Sequence, residues 1–172
     1  MSAPTSANRK VISAKPGAFF VYMDIFVNGL DETEEDLERI QRELTGRPML
    51  TAMRDASMLV AREAKRLSPV DTGRLRASIT PDVRKVSSGY EGVIGSNVEY
   101  APYVETGTRP HWPPPGATAT WARRHGMKEA TLRFIIGTRG TRAHPYLVPA
   151  FVNNADKIVR ILERGVSAII ED

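Results

Sequence analysis

From Phe19 the chain alternates, with Phe19, Val21, Met23, Ile25 and Val27 on one face and Phe20, Tyr22, Asp24 and Phe26 on the other. A period of two over nine residues predicts a strand buried on at least one side. Asn28-Gly29 ends it, and Asp31 with Glu34 three residues later forms a capping box for the amides that a helix start leaves free. A first helix follows on Leu37, Ile40 and Leu44, closed by Gly46. Pro48 suits the first turn of a second helix, where a missing N–H costs nothing, and Leu50, Met53, Ser57, Val60, Ala64 and Leu67 recur at steps of three and four. Ser68-Pro69 stops it, because the residue before a proline avoids the helical region.

Beyond that stop, Leu75, Ala77 and Ile79 alternate with Arg74, Arg76, Ser78 and Thr80, which predicts a strand with one wet face. Pro81 puts a bend or a sheet edge there. Ser87-Ser88-Gly89 turns the chain into a second strand, Tyr90 to Gly95, completing a hairpin. A short helix from Tyr100 to Glu105 would present Tyr100, Tyr103 and Val104 together and stop at Gly107. Residues 110–116, Pro-His-Trp-Pro-Pro-Pro-Gly, form a stiff extended loop, since proline fixes the backbone and removes amide donors. Two short helices follow, about 117–125 and 128–136, parted by Gly126. Phe151, Ala155, Ile158, Leu162, Val166 and Ile169 form one apolar stripe on a C-terminal helix. Residues 1–17 are poor in clustered apolar positions and are expected to be a tail.

These elements predict an α+β fold in a single domain over residues 18–172. A small antiparallel or mixed sheet is packed by the two helices of the N-terminal half and by a long C-terminal helix. Residues 110–140 enter as an insertion of one loop and two short helices. The 172 residues suffice for one core of this kind. With no cysteine there is no disulfide framework, thiolate nucleophile or Cys-based zinc site. The longest apolar stretch, Ala18 to Val27, is broken by Asp24 and falls short of the ~20 residues of a membrane span. No transmembrane helix or signal peptide is expected.

Lys and Arg number 24 against 20 Asp and Glu, and the excess gathers late, at Arg109, Arg123, Arg124, Lys128, Arg133, Arg139 and Arg142. Such a cluster is either a surface for nucleic acid or an acidic protein, or simply a solvated basic face. The segment from Ala117 to Ile136 has the outline of a helix-turn-helix and so of a DNA-binding regulator. Its second helix, however, carries Leu132, Phe134, Ile135 and Ile136 where base-reading side chains would be needed, which favours a packing or subunit-contact role. Around it runs an echo: Gly107-Thr108-Arg109-Pro110-His111 returns as Gly140-Thr141-Arg142-Ala143-His144 at an offset of 33.

Asp71-Thr72-Gly73 matches the short signature of aspartic proteases, in which two carboxylates share a proton. Here it follows a helix stop and precedes Arg74 and Arg76, whose charge would hold a nearby carboxylate ionised. A structural turn fits better, with Asp71 and Thr72 accepting backbone amides and Gly73 supplying an unusual torsion. His111, His125 and His144 have no ligand spacing, so no metal site is expected. Neither a phosphate loop nor a nucleophile elbow is present, and no catalytic residue or cofactor is assigned.

Three stretches carry a resemblance: Ser68-Pro69-Val70-Asp71-Thr72-Gly73-Arg74-Leu75-Arg76-Ala77-Ser78-Ile79, then Tyr100-Ala101-Pro102-Tyr103-Val104-Glu105-Thr106-Gly107-Thr108, then His144-Pro145-Tyr146-Leu147-Val148-Pro149-Ala150-Phe151. In series they resemble the bacteriophage tail-completion or head-tail joining proteins, over roughly residues 50–165. The resemblance implies a non-enzymatic virion subunit, assembled in the host cytoplasm, that forms a homo-oligomeric ring, a hexamer, at the head-proximal end of the tail. Its partners would be the tail tube protein and the head-side connector proteins, with DNA passing through the channel without sequence-specific binding and no membrane involved. A head-side connector adaptor is the neighbouring alternative. Tyr100, Tyr103, Glu105, Gly107, Thr108, Trp112, His144, Pro145, Tyr146 and Pro149 are the expected interface set.

Overall fold

The computed structural model describes residues 12–15, 18–23, 46–87 and 89–170. The first expected helix, on Leu37, Ile40 and Leu44, lies outside the described residues, as does the end of the first expected strand beyond Met23. Two strands, β1 (Ile12–Lys15) and β2 (Ala18–Met23), pair antiparallel, with Ile12 opposite Val21 and Lys15 opposite Ala18. Part of the stretch read as a tail is thus a strand. After these come helix α1 (Arg47–Leu67), helix α2 (Arg74–Ser78), and the strands β3 (Ile79–Val86) and β4 (Gly89–Ser96). Then follow helices α3 (Ala101–Thr106), α4 (Ala119–Arg124), α5 (Glu129–Arg139), α6 (Leu147–Val152) and α7 (Ala155–Ile170).

One sheet runs β1-β2-β4-β3, antiparallel throughout, so the fold is α+β. Strand β4 is central and buries both Val93 and Ile94, whose side chains point to opposite faces. Strand β3 is an edge, and Pro81 sits within it opposite Ile94, the place where a missing N–H is tolerated.

Helix α1 is the hub. Pro48 occupies its first turn as expected, and Gly46 stands at its N-cap. Met49, Met53, Ala56, Val60 and Ala64 are buried at steps of three and four, and Ala52, Ser57 and Ala61 widen the stripe. That width lets α1 pack against β3 and β4 and also against α6 and α7. The small residues bring α7 close, and a Cβ added to Gly165 would stand 2.6 Å from the Cβ of Ala52.

Two expectations are corrected. Residues 74–78, read as strand, form the helical turn α2, and only Ile79 onward is extended. Leu75 and Ile79 are both buried, and a spacing of four serves a helix as well as alternation does. The choice is made by Gly73 at φ +79, whose carbonyl accepts from Ala77 N at 2.9 Å, and by Ser78 Oγ bonding Leu75 O at 2.8 Å. The single C-terminal helix is in fact two, broken at Asn153 and Asn154. The Asn154 amide donates to Ala150 O at 2.9 Å, and its carbonyl starts α7 by accepting from Ile158 N at 2.9 Å. Phe151 lies on α6, and Ile158 begins the buried side of α7.

Candidate functional site

The second and third sequence motifs meet inside the fold. Glu105, on α3, is 4% exposed, and its carboxylate receives three backbone amides across more than forty residues. Oε2 accepts from Tyr146 N at 2.8 Å and Leu147 N at 2.9 Å, while Oε1 accepts from Val148 N at 2.9 Å. A helix start leaves its first N–H groups unpaired, and Glu105 supplies for α6 what no local side chain does. His144 N adds a bond to Val104 O at 2.7 Å. Tyr146 is wholly buried beside this joint, and its hydroxyl finds no partner among the described residues. Burial, with the Glu105 carboxylate and Tyr100 nearby, raises its phenol far above the usual tyrosine range.

Glu105 and Tyr146 are therefore internal, not surface contacts as expected. Of the remaining expected interface residues, Tyr100, Tyr103, Trp112, His144 and Pro145 are exposed, and Pro149 is half-buried.

Gly107 and Thr108 form a different structure, the neck of the insertion. Thr108 and Thr141 pair antiparallel: Thr108 N donates to Thr141 O at 3.1 Å and Thr141 N to Thr108 O at 3.2 Å. Their hydroxyls lie 3.0 Å apart in a further hydrogen bond. The sequence echo is thus a self-pairing motif, each Gly-Thr meeting the other. Both glycines have positive φ, +71 and +73, and both lack room for a side chain. A Cβ at Gly107 would stand 2.5 Å from Thr141 O, and one at Gly140 would overlap Thr108 O.

Between the two halves of the neck the Pro-rich loop folds back on α5. Arg133 Nε donates to Pro113 O at 3.0 Å, Gly116 N donates to Glu129 Oε1 at 2.7 Å, and His111 N reaches Ile136 O at 3.2 Å. Trp112 lies across Gly137 and meets Phe134 edge to face, ring centroids 6.4 Å apart. Both rings are 61% exposed. Phe134 and Ile135 face water where a DNA-reading helix would offer polar groups, which weighs against the regulator reading.

A second tie joins the insertion to the body. The Asp71 carboxylate takes a two-pronged bond from Arg124 on α4, Nε to Oδ1 at 3.0 Å with Nη2 on Oδ2, and His125 Nε2 lies 3.9 Å away. The Arg124 guanidinium holds the Asp71 carboxyl below the usual aspartate range. Asp71 was expected to cap backbone amides of the turn; its oxygens go to Arg124 instead. Thr72 Oγ1 alone accepts a turn amide, from Arg74 N at 3.5 Å. Gly73 has the left-handed torsion expected of it. His125 in turn stacks on Trp121, centroids 3.8 Å apart. Arg124 and Phe134 were visible in the sequence as a basic and an apolar residue, but their partners, Asp71 and Trp112, lie too far along the chain to be read from it. Thr141 and Gly140 were visible in the echo, but its pairing was not.

Among the described residues no group of three or more His, Cys, Asp or Glu is placed to hold a metal ion. Nor is any described helix long and apolar enough to cross a membrane.

No curated protein and no solved structure matches the chain. The model of one family, HK97-gp10-like, described as "Bacteriophage HK97-gp10, putative tail-component", matches residues 31–107. The matched stretch contains the motif at 68–79, runs through the second motif to Gly107, and ends where the neck of the insertion begins. Over residues 31–107 the chain is similar to the HK97-gp10-like family of bacteriophage tail components.

Proposed function

We propose that this chain is a structural subunit of a tailed-phage virion that closes with copies of itself into a ring, a hexamer, at the head-proximal end of the tail. There it completes the tail and presents the surface to which the capsid connector docks. The match of residues 31–107 to a tail-component family carries this reading. Two features of the subunit support it. A closed ring uses a heterologous contact, so each subunit must offer two different patches, and the insertion, held at a narrow neck with exposed aromatics, is one of them. A channel for moving DNA should not grip it, and a net charge of +4 with Phe134 and Ile135 on the exposed side of α5 is compatible with that demand.

Imaging phage particles that carry a labelled copy of this chain tests the proposal. The expected label lies at the head-tail junction on the tail side, and particles lacking the chain should accumulate as separate heads and tails. A label on the capsid side of the junction assigns the head-side adaptor role instead. Density elsewhere in the particle overturns both.

A further inference from the structure

Residues 108–142 hold seven Lys and Arg against one acidic residue, and residues 24–45 hold eight Asp and Glu against two basic ones. The insertion with its neck is thus an arm at +6, and the stretch between β2 and α1 stands at −6, while the rest of the chain comes to +4. Neither block is diluted at its centre. Residues 31–38 carry six carboxylates in eight positions and no cation, and Arg39 and Arg42 come after them. On the arm, Glu129 is taken up internally by Gly116 N and the Thr118 hydroxyl, and Arg124 is taken by Asp71. Arg109, Arg123, Lys128, Arg139 and Arg142 are exposed and have no ion pair among the described residues.

The arm also leaves apolar surface uncovered. The outward side of α5 carries Ala130, Thr131, Phe134 and Thr138, all exposed and none charged, and Trp112 meets Phe134 there. Trp112 has little freedom to turn away. Its ring lies against Gly137, where an added Cβ would stand 2.6 Å off, and the adjoining Pro113 is tied to Arg133. Fixed aromatics on a basic arm call for a partner that is both apolar and acidic. Residues 31–45 are both, with Leu37, Ile40 and Leu44 at steps of three and four beside the carboxylates. A DNA duplex would match the cations but not the uncharged side of α5.

The acidic stretch lies outside the described residues, but both of its ends are placed. Gly46 stands at the start of α1, whereas Arg124 of the arm bonds Asp71 just past the end of α1. At 1.5 Å per residue the 21 residues of α1 set these two points ~30 Å apart. Met23, at the other end of the stretch, pairs with Gly92, four residues along β4 from the Ser96 that meets Ser78 of α2. Glu38 is eight residues from Gly46, which spans only ~12 Å as helix. A stretch that keeps its expected helix therefore does not reach the arm of its own chain.

We propose that the arm of one copy receives residues 31–45 of a second copy, with the apolar stripe against Trp112 and Phe134 and the carboxylates against the arm's unpaired basic side chains. Opposite charges at opposite ends of the subunit make this a head-to-tail contact, and it names the second of the two patches that a ring requires. It rests on the ring reading above for closure, but not for the contact itself.

Exchanging charges in the full-length protein tests the contact. The wild type should self-associate in ~0.1 M salt, and ~1 M salt, which screens within ~3 Å, should part the copies. Arg123→Glu with Arg139→Glu in one variant, and Glu34→Arg with Glu35→Arg in another, should each weaken self-association about 30-fold. The two variants mixed should associate again, since each then offers what the other lacks, and that recovery also shows that both are folded. Phe134→Ala should weaken association in the wild type and in the mixture alike. Recovered association that grows into open chains would uphold the docking and remove the ring. A closed ring that each charge variant still forms alone would remove the docking and leave the ring standing. Loss in both variants without recovery on mixing overturns the docking, and so does a wild type that stays monomeric up to millimolar concentration. In that last case, retention of random-sequence duplex would assign the arm to nucleic acid.

Discussion

Glu105 ties the body of the subunit together from inside, whereas Asp71 ties the insertion to the body from outside. Glu105 is buried, and its carboxylate accepts from three amides at the start of α6. Asp71 and Arg124 are both open to water, which competes for each of them at all times. An inner carboxylate of the first kind breaks only when the surrounding structure opens; an outer pair of the second kind exchanges freely. The body should therefore unfold as one unit, and the insertion should swing on its neck without unfolding the body.

The strongest way to break this contrast is to remove the inner tether. Glu105→Ala strands three amides at the start of α6 and should cost about 3 kcal/mol of global stability, read from urea unfolding. Glu105→Gln should recover only part of this, because a carboxamide offers one accepting oxygen where two are used. An Ala variant as stable as wild type would show that α6 is held by its apolar packing alone.

Changes at the neck should act locally. Gly140→Ala forces a side chain onto the Thr108 carbonyl in a left-handed torsion, a strain of ~1 to 3 kcal/mol. Hydrogen exchange should then speed up across residues 108–141 while the core amides of α1 keep their protection. Uniform acceleration through the chain would mean that the neck is part of the body's cooperative unit.

Tyr146→Phe should move stability the other way. The change deletes a buried hydroxyl without a partner among the described residues and should stabilise by ~1 kcal/mol near neutral pH. It also has a pH signature. Because the folded phenol is raised far above the usual tyrosine value, the unfolded chain ionises first as pH rises. The resulting stability is complete below the ordinary tyrosine range and falls away above it. Alkaline melts of the Phe variant should lose this decline. An equal decline in both proteins would place its source elsewhere.

The smallest effect is expected at the outer tether. Asp71→Asn should leave the unfolding midpoint unchanged and raise only the exchange and protease sensitivity of residues 110–139. Arg124 lowers the Asp71 value, so wild type keeps the tie throughout and above the ordinary aspartate range and releases it only as pH falls through that lowered value. A large fall in global stability on Asp71→Asn would overturn the distinction between the two tethers.

Much of this architecture was legible where the pattern repeats over several turns. Helix α1 announces itself through Pro48 and four turns of apolar spacing, and the hairpin through its Ser-Gly turn. Short segments were degenerate. Leu75 and Ile79 satisfy a helix and a strand equally, and what decides between them is the Gly73 torsion and a serine bonding back to its own turn. The apolar stripe from Phe151 to Ile169 is continuous in sequence, so the break at Asn153 and Asn154 leaves no gap in it. Glu105 shows the deeper reason for failure. Its motif was visible, but its role as the cap of a helix forty residues later depends on the tertiary fold, so it was placed on the surface. The Gly-Thr echo was visible as a repetition, and only the folded chain shows that a repeat at this spacing can be its own partner.

Thr108 and Thr141 exchange both of their backbone bonds, which puts the two sides of the neck at the ~5.5 Å between Cα atoms of a hydrogen-bonded antiparallel pair. Whatever lies between them leaves the body and re-enters it at nearly the same point, and the cost of closing the loop rises only with the logarithm of its length. The position is therefore a natural port for genetic exchange: segments of different size and chemistry can be swapped at the two Gly-Thr sequences while the rest of the subunit keeps its shape. A lineage of such proteins could change what its members grasp without redesigning what they are built on.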